Sequence, residues 1–485
     1  MNGPRHGLIR GSMMIAASSV ISGSLSLVIS VVLTRTFGVE KFGFYSITAS
    51  LQSVAIIFSG FGLGPALAKY ISEYAVRDAR HAIRFARTGL RLVFIFSGTT
   101  ALVYWALSGP LGNGLYGEPG VTVLIPFSAL VVVSSALLQL LQGIVQGKHQ
   151  LGLLSMMQIS VPLVTLCIIL AFVKHSDIQI AFIAMFVAQM AVTLMAMVRM
   201  SRLGFSLGFK VEPDDDVRCG RLLLAFAVPA VASGAMVSPV LWLGNTLLAV
   251  EAGFLAVGQF AVAIVFYQVL AILPNSLVIP LIPRISEMSV KSRGSLEQIV
   301  SQSIRVVGIL PFPLFFALAL FSELAVNILY GREFSDANTS VYLMVCACYF
   351  MTMSAPIGAA FNGLGRMWVG LGLNIIWAAL VVSIAIIAIP SLGPGGLGLA
   401  YASAYVVHLA NSVLIARHAL GLRIRGVFSL AAFAIAMFAI GFLALGFGGV
   451  TSMFARFGLL AFGVLGVWLL GRSEIRLVIQ RILGF

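Results

Sequence analysis

Long apolar runs separated by short polar segments make up most of this 485-residue chain. Most runs hold about 20 residues, the length that an α-helix needs to cross the hydrocarbon core of a bilayer. Apolar and polar residues do not alternate at every second position, as they would in a membrane β-barrel. The pattern predicts an all-α, polytopic membrane protein with about fourteen transmembrane helices. The predicted spans are 12–36, 43–70, 88–108, 120–146, 151–173, 178–200, 221–249, 254–282, 305–329, 338–363, 368–390, 397–417, 427–447 and 457–471.

Composition agrees with a membrane protein and excludes a soluble one. Hydrophobic residues make up 60% of the chain and charged residues only 9%, whereas soluble domains average roughly 45–50% apolar and about 25% charged residues. The mean hydropathy is +1.05. The formal net charge of +14 would suggest nucleic-acid binding in a soluble protein, but cytoplasmic loops of membrane proteins collect Lys and Arg. We therefore predict contact with membrane lipid and no nucleic-acid partner.

The positions of Lys and Arg predict the orientation of the chain. When the N-terminus is placed in the cytoplasm, most of the 30 Lys and Arg residues fall in cytoplasmic segments. Membrane proteins show this asymmetry across the bilayer, so both termini are predicted to be cytoplasmic. The opposite side holds only Arg35, Lys41, Lys174, Arg332 and Arg456.

A polar segment at 201–220 separates six predicted spans from eight, and related sequences occur on its two sides. Val-Glu-Lys-Phe-Gly-Phe at 39–44 opens the second span, and Val-Glu-Ala-Gly-Phe at 250–254 opens the eighth. Both spans end in an Ile-Ser-Glu triplet. Because six helices is an even number, the repeat is predicted to be parallel, with its axis along the membrane normal. The predicted domains are an N-lobe at 1–210, a C-lobe at 211–425, and two further helices with a cytoplasmic tail at 426–485.

Matches to catalytic motifs lack the context that catalysis needs. Gly393 to Gly398 fits the GxGxxG pattern, but it is predicted to form an external turn with no preceding strand. The run from Gly143 to Lys148 ends in a Gly-Lys pair, but His149 occupies the Ser/Thr position of a P-loop. The six His residues form no pair at metal-ligand spacing. We therefore predict that the protein is not an enzyme and holds no cofactor or metal.

Amides inside the apolar runs are the most informative polar side chains. An unpaired amide in hydrocarbon costs a few kcal/mol, so these groups should face other helices or a hydrated cavity. Gln139, Gln142 and Gln146 recur on one face of the fourth span. Hydrogen bonding between helices and the lining of a cavity explain them equally well. Asn245 and Gln268 add amides in the second half.

Four ionisable residues lie in the apolar runs or at their ends. A charge near the bilayer centre costs roughly 2.5–3.5 kcal/mol on insertion scales, so each indicates a function or a position near the interface. Glu323 lies within the ninth span. His408 lies in a polar stripe of the twelfth span, either as a proton carrier or as a packed side chain. Lys69 and Arg35, at the ends of the second and first spans, either bind a ligand or snorkel to the interface.

Several segments resemble a known family, the bacterial polysaccharide (O-unit type) flippases of the multidrug/oligosaccharidyl-lipid/polysaccharide exporter superfamily. Thr-Arg-Thr-Phe-Gly-Val-Glu-Lys-Phe-Gly-Phe-Tyr-Ser at 34–46 resembles the loop after that family's first helix. Ile-Leu-Tyr-Gly-Arg-Glu-Phe at 328–334 and the Ala-Phe-Asn-Gly-Leu-Gly-Arg turn at 360–366 are also similar. So is the glycine-rich Leu-Gly-Pro-Gly-Gly-Leu-Gly-Leu-Ala-Tyr at 392–401. The resemblance extends over spans one to twelve.

This resemblance implies two six-helix lobes in a V shape around a hydrophilic cavity, in the inner membrane. It implies flipping of an undecaprenyl-pyrophosphate-linked oligosaccharide by alternating access coupled to H⁺ or Na⁺, with polysaccharide polymerase and export machinery as partners. Arg or Lys would bind the phosphates in such a cavity, and amides would replace the hydration of the sugars. The expected substrate contacts are Arg35, Lys69, Gln139, Gln142, Asn245 and Gln268. The expected ion-coupling residues are His408 and Glu323.

Other functions remain open as alternatives. Lipid II flippases of the superfamily carry arginines inside their first helix, and this chain has none between Ser12 and Leu33. Multidrug members commonly place an acidic residue there, and this chain has none in the same stretch. The alternatives are a cation-coupled multidrug exporter and a lipid II flippase. A glycan polymerase or ligase is the weakest alternative, because the predicted outer loops are too short for its catalytic loop.

Overall fold

The computed structural model describes residues 3–77, 79–202, 219–227, 231, 236–278, 293–422, 424, 426–445 and 450–470. The secondary structure of these residues is helical, with no strand among them, which confirms the predicted all-α class. The domain boundaries predicted at residues 210 and 425 lie outside the described residues. Contacts between residues divide the chain into two compact units, Met1–Val250 and Glu251–Phe485.

The first unit contains helices α1 to α6 and the first part of α7. Their bounds are α1 Gly3–Gly60, α2 Leu63–Arg77, α3 Ala79–Ala106, α4 Pro119–Gly147, α5 Leu151–Phe172, α6 Ile180–Arg202 and α7 Val237–Val278. Residues 219–227 are helical as well. The second unit contains the rest of α7 and the helices α8 Arg293–Ile309, α9 Phe312–Leu320, α10 Ser322–Leu329, α11 Ala337–Gly363, α12 Met367–Leu392, α13 Pro394–Leu420, α14 Val427–Leu445 and α15 Val450–Leu470.

Twelve helical stretches of the described residues are long and apolar enough to cross a membrane, and each of the fourteen predicted spans overlaps one of them. Two of the stretches, Met14–Tyr74 and Val237–Ile272, overlap two predicted spans each. The loops expected at 37–42 and 250–253 do not form, because the chain stays helical in each of these segments apart from one glycine. Gly38 has φ 78° and ψ 177°, and Gly253 has φ 81° and ψ 175°. Glycine adopts such positive φ values without the steric cost that a Cβ brings.

The matching torsions of Gly38 and Gly253 mark the same break in both units. These glycines are 215 residues apart in the sequence, whereas the Val-Glu match at 39 and 250 implies an offset of 211. An offset of 215 also aligns Gly43 with Gly258. The Ile-Ser-Glu triplets at 71 and 285 imply an offset of 214, so the torsions of the two glycines agree with the second of the two sequence matches to within one residue.

Helix α4 is the core of the first unit, where it packs against α1, α2, α3, α5 and α6. Its contact with α2 depends on glycines. A Cβ added to Gly143 would overlap the backbone of Gly64, and a Cβ added to Gly147 would lie 2.9 Å from the side chain of Ile71. Because Gly64 faces Gly143 while Ile71 faces Gly147, the two helices run parallel and close together.

Helix α11 is the core of the second unit, where it packs against α8, α9, α10, α12, α13 and α14. The glycine-rich segment expected as an external turn is instead the first turns of α13, and only Gly393 (φ 52°) links α12 to α13. Its glycines allow close packing, because a Cβ on Gly398 would lie 3.1 Å from Leu343 of α11. The ninth predicted span is also interrupted, at Pro311 and at Phe321, which separate α8, α9 and α10.

Candidate functional site

A row of glutamines on α4, here called the α4 polar face, consists of Gln139, Gln142 and Gln146. Gln139 and Gln146 are exposed and Gln142 is half-buried, although most of the residues around them on α4 are buried. Exposed amides in contact with hydrocarbon would lose their hydrogen bonds with water at a cost of a few kcal/mol each. The α4 polar face is therefore best explained as a surface in contact with water within the membrane-spanning part of the first unit.

The break between α1 and α2 lies beside this face. Phe61 (φ 39°) and Gly62 (φ 66°) both have positive φ values, so the chain leaves helical geometry for two residues, directly before the sequence Leu-Gly-Pro at 63–65. A Cβ on Gly60 would lie 3.3 Å from Oε1 of Gln139. The break is thus at the level of Gln139, and α2 continues from there along α4.

Lys69 of α2 is exposed and lies near the level of Gln146, since the neighbouring turn of α2 contacts Gly147. Its Nζ lies 4.6 Å from the ring centroid of Phe226 and 5.2 Å from that of Tyr70. Such cation–π contacts hold an ammonium group without neutralising it. Lys69 has no carboxylate partner within the described part of the chain. The structure therefore brings Lys69, Gln139 and Gln142 onto neighbouring helices, with an exposed positive charge that lies against aromatic rings.

Arg35 does not belong to this group. It is exposed in α1 before the break at Gly38, and the helical segment from residue 39 to residue 60 separates it from the α1–α2 break. At 1.5 Å per residue this segment is about 30 Å long. Arg35 and Lys69 therefore lie at opposite ends of the first unit and cannot contact the same phosphate group together.

Asn245 is buried rather than part of an exposed face. It is only 2% exposed, and its Oδ1 has no hydrogen-bond partner. Close by in the sequence, Trp242 Nε1 donates to the hydroxyl of Tyr116 at 2.9 Å, and that hydroxyl lies 3.0 Å from Oγ1 of Thr246. This part of α7 is a packed polar cluster at one end of the first unit.

In the second unit, Gln268 and His408 lie in different surroundings. Gln268 is exposed on α7, whereas its neighbour Tyr267 points inward and lies 2.9 Å from the hydroxyl of Tyr405 on α13. His408 lies beside Tyr405 and hydrogen-bonds to the backbone of Leu373. Its Nδ1 is buried and has no partner. His408 therefore belongs to an aromatic cluster of α7, α12 and α13, and one of its ring nitrogens has no hydrogen-bond partner.

Glu323 contacts Arg456, which is far from it in the sequence. Its Oε2 accepts contacts from both terminal nitrogens of Arg456, at 3.4 Å and 3.5 Å. The Arg456 side chain is 9% exposed and that of Glu323 is 52% exposed. The pair joins α10 to α15, so Glu323 already has a positive partner in this structure.

A family model described as polysaccharide biosynthesis protein matches residues 8–289, which is more than half of the chain. The chain belongs to this family. With its apolar helices, it is a multi-pass membrane protein. A lipid III flippase of Escherichia coli (strain K12) is 26% identical over 140 residues, 29% of this chain and 33% of that relative. The chain thus matches about a third of that relative's length.

A second relative matches this chain over most of the length of both proteins. The probable low-salt glycan biosynthesis flippase Agl15 of Haloferax volcanii is 21% identical over 412 residues, 85% of this chain and 83% of the relative. Among solved structures, the lipid II flippase MurJ in an inward closed conformation has a TM-score of 0.73 at 10% identity, covering 96% of this chain and 100% of that one. At this identity the likeness shows the fold.

Two polar pairs in this protein were not predicted from the sequence. Gln259 Nε2 donates to Asp336 at 3.2 Å, and Lys41 Nζ donates to Asp177 at 2.9 Å. The hydrogen bond from Lys41 lowers the pKa of the Asp177 carboxyl, and the backbone N–H of Ile178 contributes in the same direction. The Glu323–Arg456 pair had a partial signal, since Glu323 lies in an apolar run, where a charge is stabilised by pairing, and Arg456 directly precedes another run. Gln259 and Asp336 had none.

Proposed function

We propose that this protein moves an oligosaccharide linked to undecaprenyl pyrophosphate across the inner membrane by ion-coupled alternating access. The α4 polar face with Lys69 beside it carries the proposal. Sugars and phosphates cannot cross about 30 Å of hydrocarbon unaided. Exposed amides replace the hydrogen bonds that sugar hydroxyls make with water, and an exposed ammonium group attracts phosphate. The isoprenoid chain stays in the lipid.

The family and its relatives support the same substrate class. The family description names polysaccharide biosynthesis, and the two curated relatives are named as a lipid III flippase and a glycan biosynthesis flippase. Polysaccharide polymerase and export machinery would then act on the flipped product. In this proposal the chain lies in the inner membrane with both termini in the cytoplasm, as its Lys and Arg distribution predicts.

Because Lys69 and Arg35 lie at opposite ends of the first unit, we assign them successive roles in the proposed transport. Lys69 attracts the pyrophosphate at the cytoplasmic end, and Arg35 meets it at the external end. For ion coupling, His408 is the better candidate of the two residues predicted, because its Nδ1 has no partner, whereas Glu323 contacts Arg456. Gln268 is exposed and remains a proposed sugar contact, whereas Asn245 is proposed as one only in states of the protein that expose it.

The test measures lipid-linked sugar units in a strain that lacks the gene. The expected result is their accumulation on the inner leaflet, with recovery on expression of the intact protein. Lys69→Ala should fail to restore export, Lys69→Arg should restore it partly, and Lys174→Ala, which removes an exposed loop lysine, should restore it fully. Full export with Lys69→Ala at normal expression would remove Lys69 from the site. A deletion strain with normal surface glycan and new drug sensitivity would overturn the proposed substrate.

A further inference from the structure

The second unit contains a cavity of about 820 Å³ between α11, α13 and α14. This volume lies within the range of roughly 300–1,000 Å³ that small-molecule sites occupy. All of its lining residues belong to the second unit, and neither Lys69 nor the α4 polar face contributes to it. The cavity is therefore separate from the site described above.

One end of the cavity is polar and negatively charged. Asp336 lies at this rim, where it is exposed and accepts one hydrogen bond from Gln259. Thr339 and Ser391 supply hydroxyl groups at the same end of the cavity, and Ser403 lines it farther along α13. In the part of the chain that the structure describes, no Lys or Arg neutralises Asp336. The carboxylate of Asp336 can therefore accept further hydrogen bonds from a positively charged group.

The rest of the cavity is apolar and opens sideways. Leu343, Phe350 and Phe438 form its inner wall. Ile435 and Phe442 of α14 line it and are 42% and 40% exposed. Exposed apolar side chains on a membrane-spanning helix face the bilayer, so the opening beside α14 leads into lipid.

We propose that this cavity binds a phospholipid with a primary ammonium headgroup, with an acyl chain between α11, α13 and α14 and the ammonium group on Asp336. The combination of a carboxylate rim, an apolar interior and an opening towards lipid fits such an amphiphile. A polyprenyl pyrophosphate fits less well, because its anionic head is repelled by Asp336. The rim lies at the start of α11 and the end of α12, which the charge distribution predicts to be external, so the lipid comes from the outer leaflet.

The first test compares headgroups on the purified full-length protein. Binding of dioleoyl phosphatidylethanolamine, phosphatidylcholine and phosphatidylglycerol is measured by native mass spectrometry. Phosphatidylethanolamine should bind most tightly, because the choline group has no N–H to donate and the glycerol headgroup leaves the lipid anionic. Asp336→Asn should weaken its binding by about two- to fivefold, the range of an exposed ion pair. Glu333→Gln, which removes an exposed carboxylate that does not line the cavity, should leave binding unchanged.

The second test fills the cavity without touching its charge. Ala439 is exposed on α14 and lines the cavity, whereas Ala436 is exposed on the same helix and does not. Ala439→Phe should abolish phosphatidylethanolamine binding, and Ala436→Phe should preserve it. Equal binding of the three lipids that is unaffected by Asp336→Asn would overturn the proposal. So would displacement of phosphatidylethanolamine by undecaprenyl phosphate at lower concentration, since the cavity would then hold the cargo chain. Neither result depends on whether the protein flips glycans.

Discussion

The pair between Glu323 and Arg456 allows a prediction that separates structural support from ion coupling. Arg456 is almost fully buried and Glu323 is half exposed. The proposed variants are Glu323→Gln, which keeps the shape of the side chain and removes its charge, Arg456→Met, and the double variant. Glu323→Gln leaves a buried guanidinium without its counter-charge, whereas Arg456→Met leaves a carboxylate that still reaches water.

The magnitude follows from burial and distance. Breaking a fully buried pair costs about 3–5 kcal/mol, while an exposed pair contributes about 0.2–1 kcal/mol. The contacts of 3.4 Å and 3.5 Å exceed the roughly 2.7–2.9 Å of strong charge-assisted hydrogen bonds, and Nε of Arg456 is buried without a partner. We therefore expect Glu323→Gln to lower the free energy of unfolding by about 1–2 kcal/mol, between the two limits. Arg456→Met should have little effect or stabilise the protein, because it removes an imperfectly paired buried charge.

A double-mutant cycle of the free energy of unfolding measures this coupling in the membrane-reconstituted protein. The expected coupling energy between the two positions is about 1 kcal/mol. A coupling near zero would refute the structural role of the pair. Transport supplies a second measurement, since the double variant should keep its dependence on the driving ion. If it folds normally and loses that dependence, Glu323 takes part in ion coupling and the structural interpretation is wrong.

Three further changes test the packing, the backbone and the pH response of the structure. Gly143→Ala should lower the thermal stability, by about 1–3 kcal/mol in free energy, because the added methyl group meets the backbone of Gly64. Gly98→Ala, which adds a methyl group with no neighbour within 4 Å, should not lower it. Gly253→Ala should cost about 1–3 kcal/mol, because its φ of 81° and ψ of 175° lie in a region that is essentially restricted to glycine. An unchanged melting curve at neutral pH would contradict this strain. The pKa of Asp177 is lowered in the folded protein by Lys41, so its contribution is present above the unfolded pKa of about 3.9 and is lost as the pH falls through the lower folded value. Both side chains are about half exposed, so this contribution is at most about 1 kcal/mol. Asp177→Asn should lower the melting temperature at pH 7 and have a smaller effect near pH 3, and an equal effect at both values would contradict the pairing.

The helices could be predicted from the sequence because bilayer thickness fixes their length and composition fixes their surroundings. The predicted spans leave gaps at 37–42 and 250–253, and Gly38 and Gly253 lie in these gaps. The form of each break could not be predicted, because a single glycine interrupts the helix there and no loop forms. The two sequence matches between the halves differ in offset, 211 for the Val-Glu match and 214 for the Ile-Ser-Glu triplets. The backbone conformation repeated at Gly38 and Gly253 agrees with the second offset to within one residue.

The candidate site was only partly predictable, because spacing identifies a helix face and not what lies opposite to it. The recurrence of Gln139, Gln142 and Gln146 predicted one face of α4, but hydrogen bonding between helices remained an equal explanation. The exposure of the α4 polar face depends on the close glycine contacts between α2 and α4. The same contacts hold Lys69 beside that face. The aromatic partner of Lys69, Phe226, is far away in the sequence and had no signal. A lysine that snorkels to the interface and a lysine held over aromatic rings have the same sequence pattern. Only the second keeps its charge next to the glutamines, and that position makes it suitable for attracting a phosphate.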